Sequence, residues 1–361
     1  MKKLFNLGLA FVLLTGILSA CGSGGSESAG NASGGGEGGD NGESSGEPIT
    51  LKLSHQWPKP TGDGGDFRAV LAQKFAEKVE EKSNGNIKIK IYPSSSLVKS
   101  KQQYKAMLNG SLDMSVYPLD YAGGKVPQYG ITLMPALIKN HDTAQAWETS
   151  GIGEKLDEIT QEHGVKILVW VWNAGAIGSM GEPVVSPKDV KDGMVMRAAG
   201  DRVEAMLKAA GAGITSMSSS EMYQAFQTGV LDAGVTSNSS FASYKLYEQV
   251  KSYTSSLQNT FWFMFEPLLI SMDTWNSLSS DQQKVIEEVA AELQPWAYSA
   301  SEKDDERVTK LFKDKGVNVV PMTDDAYQQW VDLAKPIWDD FANNVEGGKE
   351  LMKLAEEVGQ K

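Results

Sequence analysis

The 361-residue chain has one cysteine, Cys21, and three histidines, His55, His141 and His163. A single cysteine excludes an intramolecular disulfide, and the histidines show no metal-ligand spacing, so no resident metal is expected. Catalytic signatures are equally scarce. There is no His-Glu-x-x-His run and no phosphate-binding Gly-Lys-Ser/Thr loop. Ser96-Leu97-Val98-Lys99 has the spacing of a serine acyl-transferase motif but lacks its Ser-Asp-Asn and Lys-Thr-Gly partners, so no enzyme and no cofactor is expected. Basic tracts are missing too: 34 Lys and Arg stand against 46 Asp and Glu, which argues against nucleic acid and against electrostatic adhesion to anionic lipid. Beyond the first residues no apolar run suffices for a membrane span, since 133–138 and 261–270 are short or interrupted by Pro and Glu.

What is present begins with Lys2-Lys3, an apolar run from Leu4 to Leu18, and Leu18-Ser19-Ala20-Cys21. This reads as a secretory leader, and its last four residues resemble a bacterial lipobox, which implies that Cys21 becomes lipidated. Residues 22–47 hold 11 Gly, 6 Ser and 5 acids among 26 residues, too little apolar surface for a core. Residues 1–21 are thus expected to be a leader and 22–48 a flexible tether, with the body held at the outer face of the cytoplasmic membrane.

The rest is arranged around residues 192–238. Met194-Val195-Met196 ends on Arg197 just before a helix with Asp201 as expected cap, Glu204 three residues on and Gly211 as stop. A guanidinium at the C-terminal end of a strand lies where open α/β sheets bind ligands. Arg197 is either a structural ion-pair partner or a carboxylate anchor. Upstream there is a second copy of the layout: Tyr104, Ala106, Gly110, Leu112 and Asp113 match Tyr223, Ala225, Gly229, Leu231 and Asp232 at one offset of 119 residues. The match reflects either common helix-glycine-strand grammar or two similar α/β lobes facing across a cleft.

In chain order, Ile49–Ser54 alternates as a strand, Phe67–Lys82 is an amphipathic helix and Ile87–Tyr92 a second strand, a βαβ unit. A helix over 143–163 follows, then one buried strand over 165–172, with a crossing between lobes at Asn173-Ala174-Gly175. Residues 261–271 cross back. Residues 274–315 read as an unusually long helix, capped near Ser279 and interrupted at Pro295; its part from Ser280 on would span about 54 Å, more than one small domain. Val317–Val320 and a helix over 324–343 finish the chain. Lobe I is expected over 49–172 and 262–299, and lobe II over 173–261 and 300–361.

Together the Ile-Tyr-Pro-Ser-Ser-Ser-Leu turn at 91–97, Asn109–Asp113, Leu133-Met134-Pro135, the strand ending in Arg197, Tyr223–Asp232 and the long helix after Leu278 resemble the DctP-type solute receptors of tripartite ATP-independent periplasmic (TRAP) transporters. The resemblance covers about 49–358 and implies an α/β, two-lobed periplasmic-binding-protein fold of type II-like architecture, with a kinked helix spanning both lobes. It implies a monomeric receptor that closes on a small organic acid, holds its carboxylate with Arg197 and delivers it to membrane-embedded permease subunits. The alternative is a sensor subunit docking on a membrane kinase. By the same resemblance Trp172, Asn173, Thr236, Asn238, Gln56, Tyr117 and Trp262 are ligand-facing candidates. Ala176 stands where the sialic-acid branch has a further arginine and Thr236 where it has an asparagine, which implies a different acid.

Overall fold

The computed structural model of the protein describes residues 48–61 and 65–359; the leader, Cys21 and nearly all of the tether lie outside the described residues. β1 (Ile49–Ser54), α1 (Phe67–Lys82) and β2 (Ile87–Tyr92) fall where alternation and helical period place them, with β2 parallel to β1. Each element has one apolar stripe, and Leu51, Leu53, Leu71, Phe75, Val79 and Ile87 bury together. Asp66 caps α1, accepting from the Arg68 backbone N–H at 3.1 Å.

Next come α2 (Gln103–Leu108), β3 (Met114–Val116), α3 (His141–Ala146), α4 (Gly151–Glu162) and β4 (Val165–Val169). The helix expected over 143–163 is therefore two. A Cβ on Gly153 would stand 2.2 Å from the Trp147 carbonyl oxygen, so the chain folds tightly back on itself between them.

The strand expected over 165–172 also divides, because β5 (Trp172–Ser179) joins a second sheet. At Trp170 the side chain of Gln294 takes both the backbone N–H (2.7 Å) and the carbonyl (2.9 Å), replacing a neighbouring strand. The crossing thus falls at Trp170-Val171, ahead of the expected 173–175.

The second sheet continues through β6 (Val195–Ala198), α5 (Asp201–Ala209), β7 (Gly213–Ser216), α6 (Met222–Gln227), β8 (Ala233–Ser237), α7 (Asn238–Ser243) and β9 (Ser252–Ser255). Gly200, not Asp201, occupies the cap position of α5; Asp201 is its first helical residue. β10 (Phe263–Phe265) and β11 (Leu268–Ser271) make the return crossing, and the Glu266 N–H donates to Val171 O at 2.8 Å, so the two crossings lie side by side.

α8 (Met272–Ser277) precedes α9 (Ser280–Asp314), 35 residues long, about 52 Å at the helical rise. Ser279 and Gln282 form its capping box. The helix runs unbroken through Pro295, which cannot donate to the Ala291 carbonyl but does not end it. Ile286, Val289 and Leu293 pack beside α1, whereas Val308 and Phe312 pack on Phe241 and Tyr253. One helix braces both lobes.

β12 (Asn318–Pro321) and α10 (Asp324–Asn344) follow. α11 (Gly348–Gly359), unexpected from sequence, sets Leu351, Met352 and Ala355 against Ile152, Leu156 and Ile159 of α4. It therefore packs on α4, within the residues expected for lobe I, whereas 300–361 is expected from sequence in lobe II. No helix among the described residues is long and apolar enough to cross a membrane.

The first sheet has the order β2-β1-β3-β11-β4; the second has β12-β9-β5-β8-β6-β7, with β10 paired to β5. The 119-residue repeat is a repeat of structure. α2 and α6, and the 3-10 turns Ser100–Gln102 and Ser219–Glu221 before them, coincide at that offset. Gly110 (φ 73°) and Gly229 (φ 71°) end the two helices in the left-handed region that favours glycine. Asp113 then accepts from the Lys52 backbone N–H at 2.7 Å, and Asp232 from that of Val195 at 2.8 Å.

Candidate functional site

Tyr121, just after β3, meets Arg197 of β6, and Gln56, just after β1, meets Tyr244, which follows β8 and α7. Arg197, near the end of β6, is buried. Its Nε donates to Met217 O at 3.0 Å, Nη1 to Val235 O at 2.7 Å and Nη2 to Tyr121 Oη at 3.2 Å. All three acceptors are neutral, and among the described residues no carboxylate lies within ion-pairing distance of it. A guanidinium has five N–H donors, so one on each terminal nitrogen remains for a ligand. An unmatched buried cation is costly, and an anion supplied from outside would relieve that cost.

Tyr121 is not among the residues expected from sequence. It sits in a 3-10 turn, Leu119–Ala122, after β3. Its oxygen also accepts from the Ser219 N–H at 3.2 Å, joining first lobe to second. A tyrosine four residues beyond Tyr117 was the only local signal. Tyr117 meets Tyr121 edge-on with centroids 6.1 Å apart, and its buried hydroxyl has no partner. Burial, with Tyr121 and Asp120 nearby, pushes its phenol well above the usual range, so the proton stays on.

Gln56 follows β1, and both its amide nitrogen and its amide oxygen are buried without a partner. Its carbonyl accepts from Tyr244 Oη at 3.0 Å. Next to it, burial lowers His55 to about 4, with Asp66 opposing and Arg68 adding to the effect, so the imidazole is neutral. Thr236 lies at the end of β8, buried and opposite Ala176 on β5.

The other expected residues make contacts within the protein. Asn173 donates to Glu266 at 2.6 Å and accepts from Ser239 at 3.2 Å. Asn238 donates at 2.6 Å to both Ser256 and Asp305 and accepts from Tyr253 at 2.5 Å, tying α7 to α9. Trp172 packs against Trp147 and Phe265 at centroid distances of 5.2 and 4.8 Å. Trp262 covers Gly175 so closely that a Cβ there would lie 2.2 Å from the ring. The two tryptophans belong to core clusters, although each indole N–H lacks a partner.

Behind the cleft runs a buried ion network. Arg68 binds Asp66 at 2.6 Å and pairs with Glu266, while Nη1 donates to Ser237 at 2.9 Å and the Trp57 ring lies 4.0 Å away. Burial raises Glu266 to about 7 with Arg68 pulling the other way. At the mouth the two serine turns meet: Ser100 Oγ and Ser220 Oγ are 3.4 Å apart, and Lys101 Nζ donates to Ser216 at 3.0 Å. An opening of about 370 Å³ there is lined by Ser95, Lys99 and Ser100 on one side and Ser218, Ser220 and Glu221 on the other. These contacts join the two serine turns.

A family model described as bacterial extracellular solute-binding protein, family 7 (DctP) matches residues 65–344. A solute-binding protein of Albidiferax ferrireducens is 41% identical over 309 residues, 85% of this chain and 91% of that one. The C4-dicarboxylate-binding periplasmic protein DctP of Rhodobacter capsulatus is 27% identical over 83% of this chain and 88% of its own. The crystal structure of a TRAP periplasmic solute-binding protein from Rhodoferax ferrireducens with bound malonate superposes with a TM-score of 0.83, at 40% identity, over 86% of this chain and 98% of that chain. On these matches, and on a two-lobed fold with facing strand ends, the chain belongs to the DctP family of bacterial extracellular solute-binding proteins, the receptors of TRAP transporters.

Proposed function

We propose that this receptor captures a small organic acid between its lobes, with Arg197 holding the carboxylate, and delivers it to the membrane permease without chemical change. The observation that carries this reading is the buried Arg197 guanidinium with only neutral partners. Charge-assisted bidentate binding is the strongest use of such a group. Gln56 and Tyr117 supply unpaired polar atoms for the remainder of the ligand, and Thr236 stands at the end of the strand beside Arg197. Names of relatives support the class: malonate is bound in one, and another is named for C4-dicarboxylates.

The proposal includes lipidation at Cys21, a tether over 22–48 and action as a monomer. It also includes a lobe division at the paired crossings, Trp170-Val171 and Glu266-Pro267, in place of the expected boundaries after 172 and before 262, with α11 seated on lobe I. Closure would be stabilised by a ligand that touches both walls at once. A thermal-shift screen of organic acids against amines, neutral sugars and metals tests this. An acid at 100 times its dissociation constant should add about 2.7 kcal/mol of stability. Stabilisation by another class and by no acid would contradict it.

A further inference from the structure

The internal repeat allows the two walls of the cleft to be compared residue by residue. β1 runs parallel to β3 with Leu53 opposite Met114 and Ser54 opposite Ser115. β6 runs parallel to β8 with Met196 opposite Ala233 and Arg197 opposite Gly234. Met114 and Ala233, like Ser115 and Gly234, are 119 residues apart, so Ser54 is the register counterpart of Arg197. One wall presents a guanidinium. At the corresponding place the other presents a serine whose hydroxyl donates to Tyr92 O at 3.2 Å, followed by the neutral His55 and the amide of Gln56.

The remaining charges do not make up the difference. Among the described residues the buried Lys and Arg side chains are Arg68 and Arg197. Arg68 is held between Asp66 and Glu266, so its charge is already matched. Lys99 and Lys101 are exposed at the mouth, Lys101 bound to Ser216 with its Nζ 5.7 Å from the Tyr121 ring centroid. Asp120, also buried, adds a further acid near the Tyr121 turn.

We infer that the cleft is built for an acid with one carboxylate and an uncharged polar far end, such as a hydroxyl, keto or amide group, and selects against dicarboxylates, which sets this chain apart from the relative solved with malonate and the one named for C4-dicarboxylates. This rests on the reading of Arg197 as the carboxylate anchor. One carboxylate cancels one guanidinium. A second would be buried against neutral groups, and an unpaired buried charge is far costlier than an unpaired amide or hydroxyl. Gln56 offers a donor and an acceptor, and Tyr117 a hydroxyl, which suits a neutral polar group.

Calorimetric titration of the full secreted chain with matched pairs tests this: malonate against malonamate and succinate against succinamate. Each half-amide keeps the diacid's shape and one carboxylate while losing one charge. The half-amide is expected to bind at least about tenfold more tightly than its diacid. Gln56→Leu and Tyr117→Phe should each narrow that gap, and Arg197→Ala should weaken both members. Equal or tighter binding of the diacid, with loss in Arg197→Ala, would overturn the inference and leave the anchor intact. Binding of neither member, with a neutral sugar or an amine binding instead, would remove the carboxylate reading and the inference together.

Discussion

The phenol oxygen of Tyr121 stands 3.2 Å from Nη2 of Arg197 and also accepts the Ser219 N–H, so a residue of the first lobe helps hold the cation presented by the second. Tyr121→Phe deletes that oxygen and little else. A net hydrogen bond is worth about 1 kcal/mol, so affinity for the cognate acid should fall roughly fivefold in a calorimetric titration. Affinity equal to wild type would show that Tyr121 is a bystander.

The two buried arginines should separate in their effects. Arg68 is matched by Asp66 and Glu266, and its removal strands two buried acids. Arg68→Met should therefore lower unfolding free energy by about 3–5 kcal/mol in denaturant titration. Arg197 has no acid to strand, so Arg197→Ala should act chiefly on affinity. Arg68→Met with unchanged stability would refute this division of roles.

Asp120 should make stability depend on pH. Burial, with Asp201 and Glu204, raises its carboxyl from 3.8 to about 7 against the pull of Lys101 and Arg197. Between those values the folded protein keeps a proton that the unfolded chain has released. Its stabilising contribution is complete below about pH 4 and is lost as pH rises through about 7. Asparagine does not ionise, so Asp120→Asn should melt above wild type at about pH 8, the gap closing toward about pH 4. His55, lowered to about 4, titrates with the opposite sign in both proteins and cancels from the comparison. Melting curves offset by the same amount at every pH would contradict the assignment.

Gly175 tests the seating of Trp262. A Cβ at 175 would lie 2.2 Å from the indole and 2.7 Å from the Thr236 carbonyl oxygen. Gly175→Ala should thus cost about 1–3 kcal/mol by overpacking, read as a lower denaturation midpoint. A neutral substitution would mean that the ring yields.

What could be read from the sequence was local. β1, α1 and β2 follow from alternation, one apolar stripe and a cap within the segment itself. The repeat was legible because Gly110 and Gly229 impose the same helix stop, and Arg197 because a strand end precedes a helix. The sheet change at Trp170 was hidden, since it depends on Gln294, 124 residues away. Tyr121 lies in a short 3-10 turn without a period to place it. Asn238 directly follows a strand, where a ligand contact would lie, but it is the first residue of α7 and its amide donates to Asp305 on α9.

The central claim is that Arg197 anchors a carboxylate, and the direct measurement is calorimetric titration of the best-binding acid into wild type, Arg197→Lys and Arg197→Ala, with melting curves run alongside. A buried charge-assisted pair is worth about 1.5–3 kcal/mol, so Arg197→Ala should bind at least about tenfold more weakly while staying folded. Arg197→Lys, with a point charge in place of the planar fork, should recover part of the loss. Full affinity in a folded Arg197→Ala protein would contradict the account.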